Sequence, residues 1–102
     1  MLRWEALMDL GVMPEVNLSL NPKVKLIKEG DHGYLYDHEN VCVQVANRTA
    51  LHILELCDDE HSVNDIIEDL AMLFPDVPKS KLEKDVTHFI ADLIKEGVVV
   101  FS

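Results

Sequence analysis

The hydrophobic pattern of this 102-residue chain changes period near Asn47, and that change restricts the folds open to it. Ahead of it, apolar residues recur at the two-residue spacing of strands; behind it, they recur at helical spacing. "KVKLIKEG" alternates through Val24 and Leu26, with lysines at 23, 25 and 28, as a partly exposed strand does. "DHG" reads as a turn and "YLYDH" as a second strand. "HEN", residues 38 to 40, is another turn, and "VCVQVA" is a third strand with valines at 41, 43 and 45. A parallel crossover needs a dozen or more residues, so strands on such tight turns form an antiparallel meander.

Three helices follow. Asn47 or Thr49 can cap the first, whose apolar positions Ala50, Leu51, Ile53, Leu54 and Cys57 form one stripe. "DDEH" breaks it as an acidic turn. Ser62 then caps a second helix, and Asp65 three residues on completes a near capping box. That helix uses Val63, Ile66, Ile67, Leu70, Met72 or Leu73, and Phe74. The third, "SKLEKDVTHFIADLIKEG", places Leu82, Val86, Phe89, Ile90, Leu93 and Ile94 on one side and stops at Gly97. "VVVFS" is extended. The order predicts an α+β domain that is winged helix-turn-helix-like, with a three-stranded antiparallel sheet followed by three helices.

Residues 1–23 read differently. "LRWEALMDLG" suits a short amphipathic helix stopped by Gly11, and Pro14 and Pro22 bracket a stretch that cannot be helical throughout. We read 1–23 as an N-terminal arm or linker that docks on something, and 24–102 as the domain.

Charge excludes one function class. The formal net charge is −10, and residues 1 to 30 sum to zero, so the whole excess lies beyond them. Residues 50 to 78 contain neither Lys nor Arg. A winged-helix transcription regulator needs basic residues on those helices to neutralise phosphate, so nucleic acid is not an expected partner. No stretch suits a membrane span or a secretory signal, and a cytoplasmic location is expected.

Chemistry-bearing residues are present but not assembled. Histidines at 32, 38, 52, 61 and 88 form no HxH or HExxH and pair with no cysteine at ligand spacing, so no metal or other cofactor is expected. Cys42 and Cys57 lack a CxxC spacing and read as reduced, packed thiols. Consecutive acids at 58 to 60 cannot all face one site, and no nucleophile has a base near it in sequence. The chain does not read as an enzyme.

The third strand raises a separate question. "VCVQV" ends the meander without the lysine or proline that usually blunts a sheet edge. Either another part of the chain covers it, or a partner peptide adds to it as a strand.

Taken together, "VCVQVANRTALHILELCDDEHSVNDIIEDLAMLFP" and "DVTHFIADLIKEGVV" resemble the PqqD-like family, the domains also called RiPP recognition elements. The carrying features are Val43 to Asn47 entering a capped helix, "ILELCD", "SVNDIIEDL", "FP" at 74 and 75, and the last helix pattern. Two positions depart: Asp59 stands where the family commonly has glycine, and Ala46 where it tends to have leucine. The resemblance implies a non-catalytic peptide chaperone. Such a domain binds the leader of a ribosomally made precursor peptide by strand addition and presents it to a modifying enzyme, often a radical SAM protein. Carried onto this chain, the groove comprises Val41, Cys42, Val43, Gln44 and Val45 on the strand, with Lys81, Asp85, His88, Phe89 and Asp92 on the third helix. A structural domain that docks on a larger enzyme through its arm is the competing possibility.

Overall fold

The computed structural model describes residues 5–30, 32–37, 43–45 and 48–101. Along the chain lie α1 (Glu5–Met8), β1 (Asn17–Leu20), β2 (Val24–Glu29), β3 (His32–Asp37), β4 (Val43–Val45), α2 (Arg48–Glu55), β5 (Asp58–Ser62), α3 (Val63–Leu73), α4 (Lys79–Lys95) and β6 (Val99–Phe101). The result is a mixed α+β domain with two antiparallel sheets, ordered β5-β1-β6 and β2-β3-β4.

The sheet β2-β3-β4 is the expected meander. Its β2–β3 register runs from Val24 opposite Asp37 to Glu29 opposite His32. Gly33 in β3 permits a close approach: a Cβ there would stand 2.6 Å from the Ile27 carbonyl oxygen and 3.1 Å from Leu51 Cδ1. The bare glycine therefore lets α2 pack against the hairpin.

The other sheet corrects two readings. "DDEHS" is not a turn but β5, so a strand separates α2 from α3. Its irregular point is Asp59, at φ 69°, the left-handed conformation that glycine adopts most easily. The Asp58 carboxylate accepts the Glu60 N–H at 2.9 Å within the same bend.

Nor are the leading residues an arm: β1 is the central strand of this sheet, and Leu7, Val12 and Leu18 are completely buried among Leu54, Ile66, Ile67 and Ile90. Backbone chemistry holds the segment as well. The first N–H groups of a helix have no partner inside it. Here Val63 and Asn64 donate theirs to the Val16 and Pro14 carbonyls at 3.3 and 3.0 Å. The Ser62–Asp65 capping box satisfies two more, each bond 3.1 Å. The start of α3 is thus capped partly by residues that looked like a linker.

The helix stops follow the sequence. Gly11 and Gly97 take positive φ, and Val12→Leu7 and Val98→Leu93 N–H···O bonds, each 2.9 Å, close the ends of α1 and α4. The end of α3 does not follow it: Met72, Leu73 and Phe74, expected on the buried stripe, are 82%, 53% and 37% exposed. Among the described residues, no helix is long and apolar enough to cross a membrane.

Candidate functional site

β4 pairs with β3 through Gly33–Val45, Tyr34–Gln44 and Leu35–Val43. Among the described residues it has no strand on its other side. An unpaired side presents main-chain N–H and C=O groups to any extended segment that approaches. Of the expected strand residues, Val43, Gln44 and Val45 lie in β4, and Val41 and Cys42 fall outside the described residues.

Residues 46 and 47 link β4 to α2, whose first turn begins one wall of a groove of about 600 Å³. Thr49, Ala50 and Ile53 form that wall; Phe74 and Val77, at and beyond the end of α3, close one end. The facing wall is α4, where Leu82, Val86 and Phe89 supply apolar surface and Lys81 and Asp85 form the lip. Positions 81, 85 and 89 share one helical face at four-residue steps, which brings three of the five expected helix residues together. His88 and Asp92 are exposed on α4 and do not line this groove. Asp92 sits almost a turn beyond Phe89, past the groove's end.

Electrostatics at the lip are self-contained. Lys81 Nζ reaches Asp85 Oδ2 at 2.8 Å, and both side chains are more than half exposed, so the pair is readily exchanged for another partner. The remaining lining is mostly apolar, which suits side-chain burial rather than proton transfer. The sequence had pointed to neither α2 nor Phe74 as groove walls. The available signal was Phe74 itself: a large apolar residue just before Pro75, where the helix ends and the buried stripe can no longer continue.

Elsewhere, ionisable groups are engaged in structure. Burial first, and the Asp58 carboxylate second, push the Cys57 thiol up to about 12, so it stays protonated and unreactive at neutral pH. His61 Nδ1 stands 2.8 Å from Asp58 Oδ1, and this hydrogen bond raises the histidine above its ordinary value while lowering the aspartate. His52 Nε2 lies 2.5 Å from Asp69 Oδ2, linking α2 to α3. Among the described residues, no three His, Cys, Asp or Glu side chains are grouped to hold a metal ion.

Comparison with known proteins covers the same region. Residues 34–99, about two thirds of the chain, match the model of the family described as "Coenzyme PQQ synthesis protein D (PqqD)". Among curated proteins none matches the chain. A solved structure, of the heterocyclase TruD, shares the fold at a TM-score of 0.64 and 19% identity. The match covers 85% of this chain but only 12% of that one, so the present domain corresponds to a small part of the larger protein.

Proposed function

Because this chain belongs to the PqqD family, we propose that it is a non-catalytic chaperone for the leader of a ribosomally synthesised precursor peptide. The leader adds as a strand to β4 and continues into the groove between α2 and α4, which takes an apolar side chain. The domain then presents the rest of the peptide to a modifying enzyme, for which a radical SAM protein is our first candidate. The likeness to part of a heterocyclase supports a setting in peptide modification. On this reading β2 and β3 take the place of a wing beside α2, α3 and α4, a winged-helix-like arrangement put to peptide binding.

One observation carries the reading: among the described residues β4 has no strand on one side, and the wall of an apolar groove begins close to its end in sequence. Thr49 is four residues beyond Val45, a span of at most about 14 Å even fully extended. A single peptide can therefore use both, gaining affinity from main-chain bonds at the strand and specificity from the groove. Charge on two of the three other edge strands supports the choice, the third, β6, being uncharged. β2 exposes Lys25, Lys28 and Glu29, and β5 exposes Asp58, Asp59 and Glu60, residues that discourage strand addition. β4 reads Val-Gln-Val.

Main-chain hydrogen bonds contribute about 0.5–1.5 kcal/mol each net, and ordering a flexible peptide offsets part of that. We expect a leader affinity between roughly 10 nM and 10 μM. The test is an NMR titration of labelled protein with the leader of a precursor encoded in the same gene neighbourhood. Amide shifts should concentrate in β4 and the first turns of α4. Replacing Val43 with proline should weaken binding at least about tenfold, roughly 1.4 kcal/mol. Val63→Ala, in the core at the start of α3, should lower stability and leave affinity nearly intact. A folded Val43→Pro protein that binds as tightly as wild type would rule out pairing at β4.

A further inference from the structure

The groove lies open between α2 and α4, so along it neither wall holds the other in place. Their common reference is α3, which is firmly seated: Val63, Ile66, Ile67 and Leu70 are completely buried, and its start is capped. On the exposed side of α3, two successive carboxylates each reach to one wall. Glu68 accepts a hydrogen bond from the Lys79 ammonium at the start of α4. Asp69 Oδ2 lies 2.5 Å from His52 Nε2 on α2. Lys79 stands two residues before Lys81, and His52 is next to Ile53, yet none of these four residues lines the groove.

All four side chains are at least a third exposed. An exposed pair changes an equilibrium by no more than about fivefold. That is little beside the apolar burial that holds the fold. It is enough to act on the placement of a wall, because a site formed in only part of the molecules binds more weakly by that fraction. The wall at α2 has eight residues, little more than two turns, and it rests on the hairpin where Leu51 meets Gly33. A small rocking about that contact changes the distance from Ala50 and Ile53 to Leu82 and Val86 across the groove.

Resting on the peptide-binding reading above, we propose that Glu68 and Asp69 are positioning residues, a brace on α3 that sets the width of the peptide groove. Glu68 holds the start of α4, Asp69 holds α2, and neither touches the peptide. The brace is in place before the peptide arrives, so its contribution is pre-organisation. Without it the walls move in the free protein, and binding has to order them.

The test measures affinity by calorimetry for the leader of a precursor encoded in the same gene neighbourhood, alongside the melt of each variant. Asp69→Ala and Glu68→Ala should each weaken binding about two- to fivefold, and the double variant about tenfold. Each should melt within a few degrees of wild type and be fully folded at the temperature of the titration. Asp69→Asn, which keeps a side-chain oxygen as acceptor for His52, should lose less than Asp69→Ala. Glu68→Lys combined with Lys79→Glu should recover the affinity that Glu68→Lys alone loses, because the pair re-forms with its ends exchanged. Glu60→Gln removes an acid from β5, outside the groove, and should bind as wild type does. Unchanged affinity in the double alanine variant overturns the brace and leaves the peptide-binding reading standing. So does an exchanged pair that binds as weakly as Glu68→Lys alone, which would place Glu68 on the peptide itself. A loss at Glu60→Gln as large as at Glu68 or Asp69 also overturns it, in favour of general charge. A wild-type chain that binds no leader overturns the peptide-binding reading and the brace with it.

Discussion

The two sheets of this domain are built for different ends. In β5-β1-β6 the central strand buries Leu18 completely, β6 buries Val99, and Ser62 ends β5 as the buried cap of α3. In β2-β3-β4 no residue of β2 is buried, and Ile27 and Tyr36 are about half exposed. The first sheet is closed on the core and ties the chain's beginning to its end. The second stands on the core through Gly33 and Leu35, with β4 on its rim. Stability concentrates where burial is complete, and the proposed recognition uses the sheet whose loss of a surface contact costs little.

The contrast can be broken most directly at Leu18. Leu18→Ala removes a fully buried side chain from the centre of the first sheet and should cost about 3 kcal/mol. For a domain of this size that lowers the melting temperature by roughly 10–25 °C, read by circular dichroism. A melt within a degree or two of wild type would show that the leading residues are dispensable after all.

Gly33→Ala probes the other sheet at the point where it touches the core. The added methyl meets a backbone oxygen at 2.6 Å, which cannot rotate away, so the hairpin or α2 must shift. We expect a loss of about 1–3 kcal/mol in denaturant unfolding, smaller than at Leu18 because the sheet can move as a unit. Equal losses at the two positions would mean that the sheets are equally part of the core.

The smallest effect lies on the rim of the first sheet, where β5 carries the His61–Asp58 pair. Asp58 raises His61, so this contribution to stability is fully present below the ordinary histidine value of about 6.5 and is lost as pH rises through the raised value. Asp58 is lowered in turn, so its contribution is present above the ordinary aspartate range and lost as pH falls through the depressed value. An NMR titration should place the His61 midpoint above 6.5, as an order-of-magnitude reference of about that value, and Asp58→Asn should bring it down. Both groups are exposed, so the melting temperature should barely respond. An unshifted His61 midpoint in the wild type would remove the pair from the description of β5.

What could be read from the chain alone divides by range. Gly11 and Gly97 as helix stops, the Ser62 and Asp65 box, and the alternation of β2 were legible because each is a local preference of a few neighbouring residues. The groove was half legible. Four-residue periodicity put Lys81, Asp85 and Phe89 on one face, but periodicity carries no information about where a groove ends, and so His88 and Asp92 were grouped with them. The apolar reading of Met72, Leu73 and Phe74 extended a stripe past the point where the helix still has a core to face.

Sequence by itself determined the type of each helix and of the meander strands, the Ser62–Asp65 cap and the glycine stops, the acidic character of residues 31 to 78, and the family resemblance. Tertiary structure alone decided that residues 5–20 belong to the core, that "DDEHS" is a strand, and that α2 and Phe74 face α4 across a groove. The physical reason is the same in each case. β1 has partners, β5 and β6, more than thirty-five residues away in sequence, and only long-range pairing makes an acidic stretch such as Asp58–Ser62 a strand. A propensity counts neighbours along the chain; a sheet is held by neighbours across it.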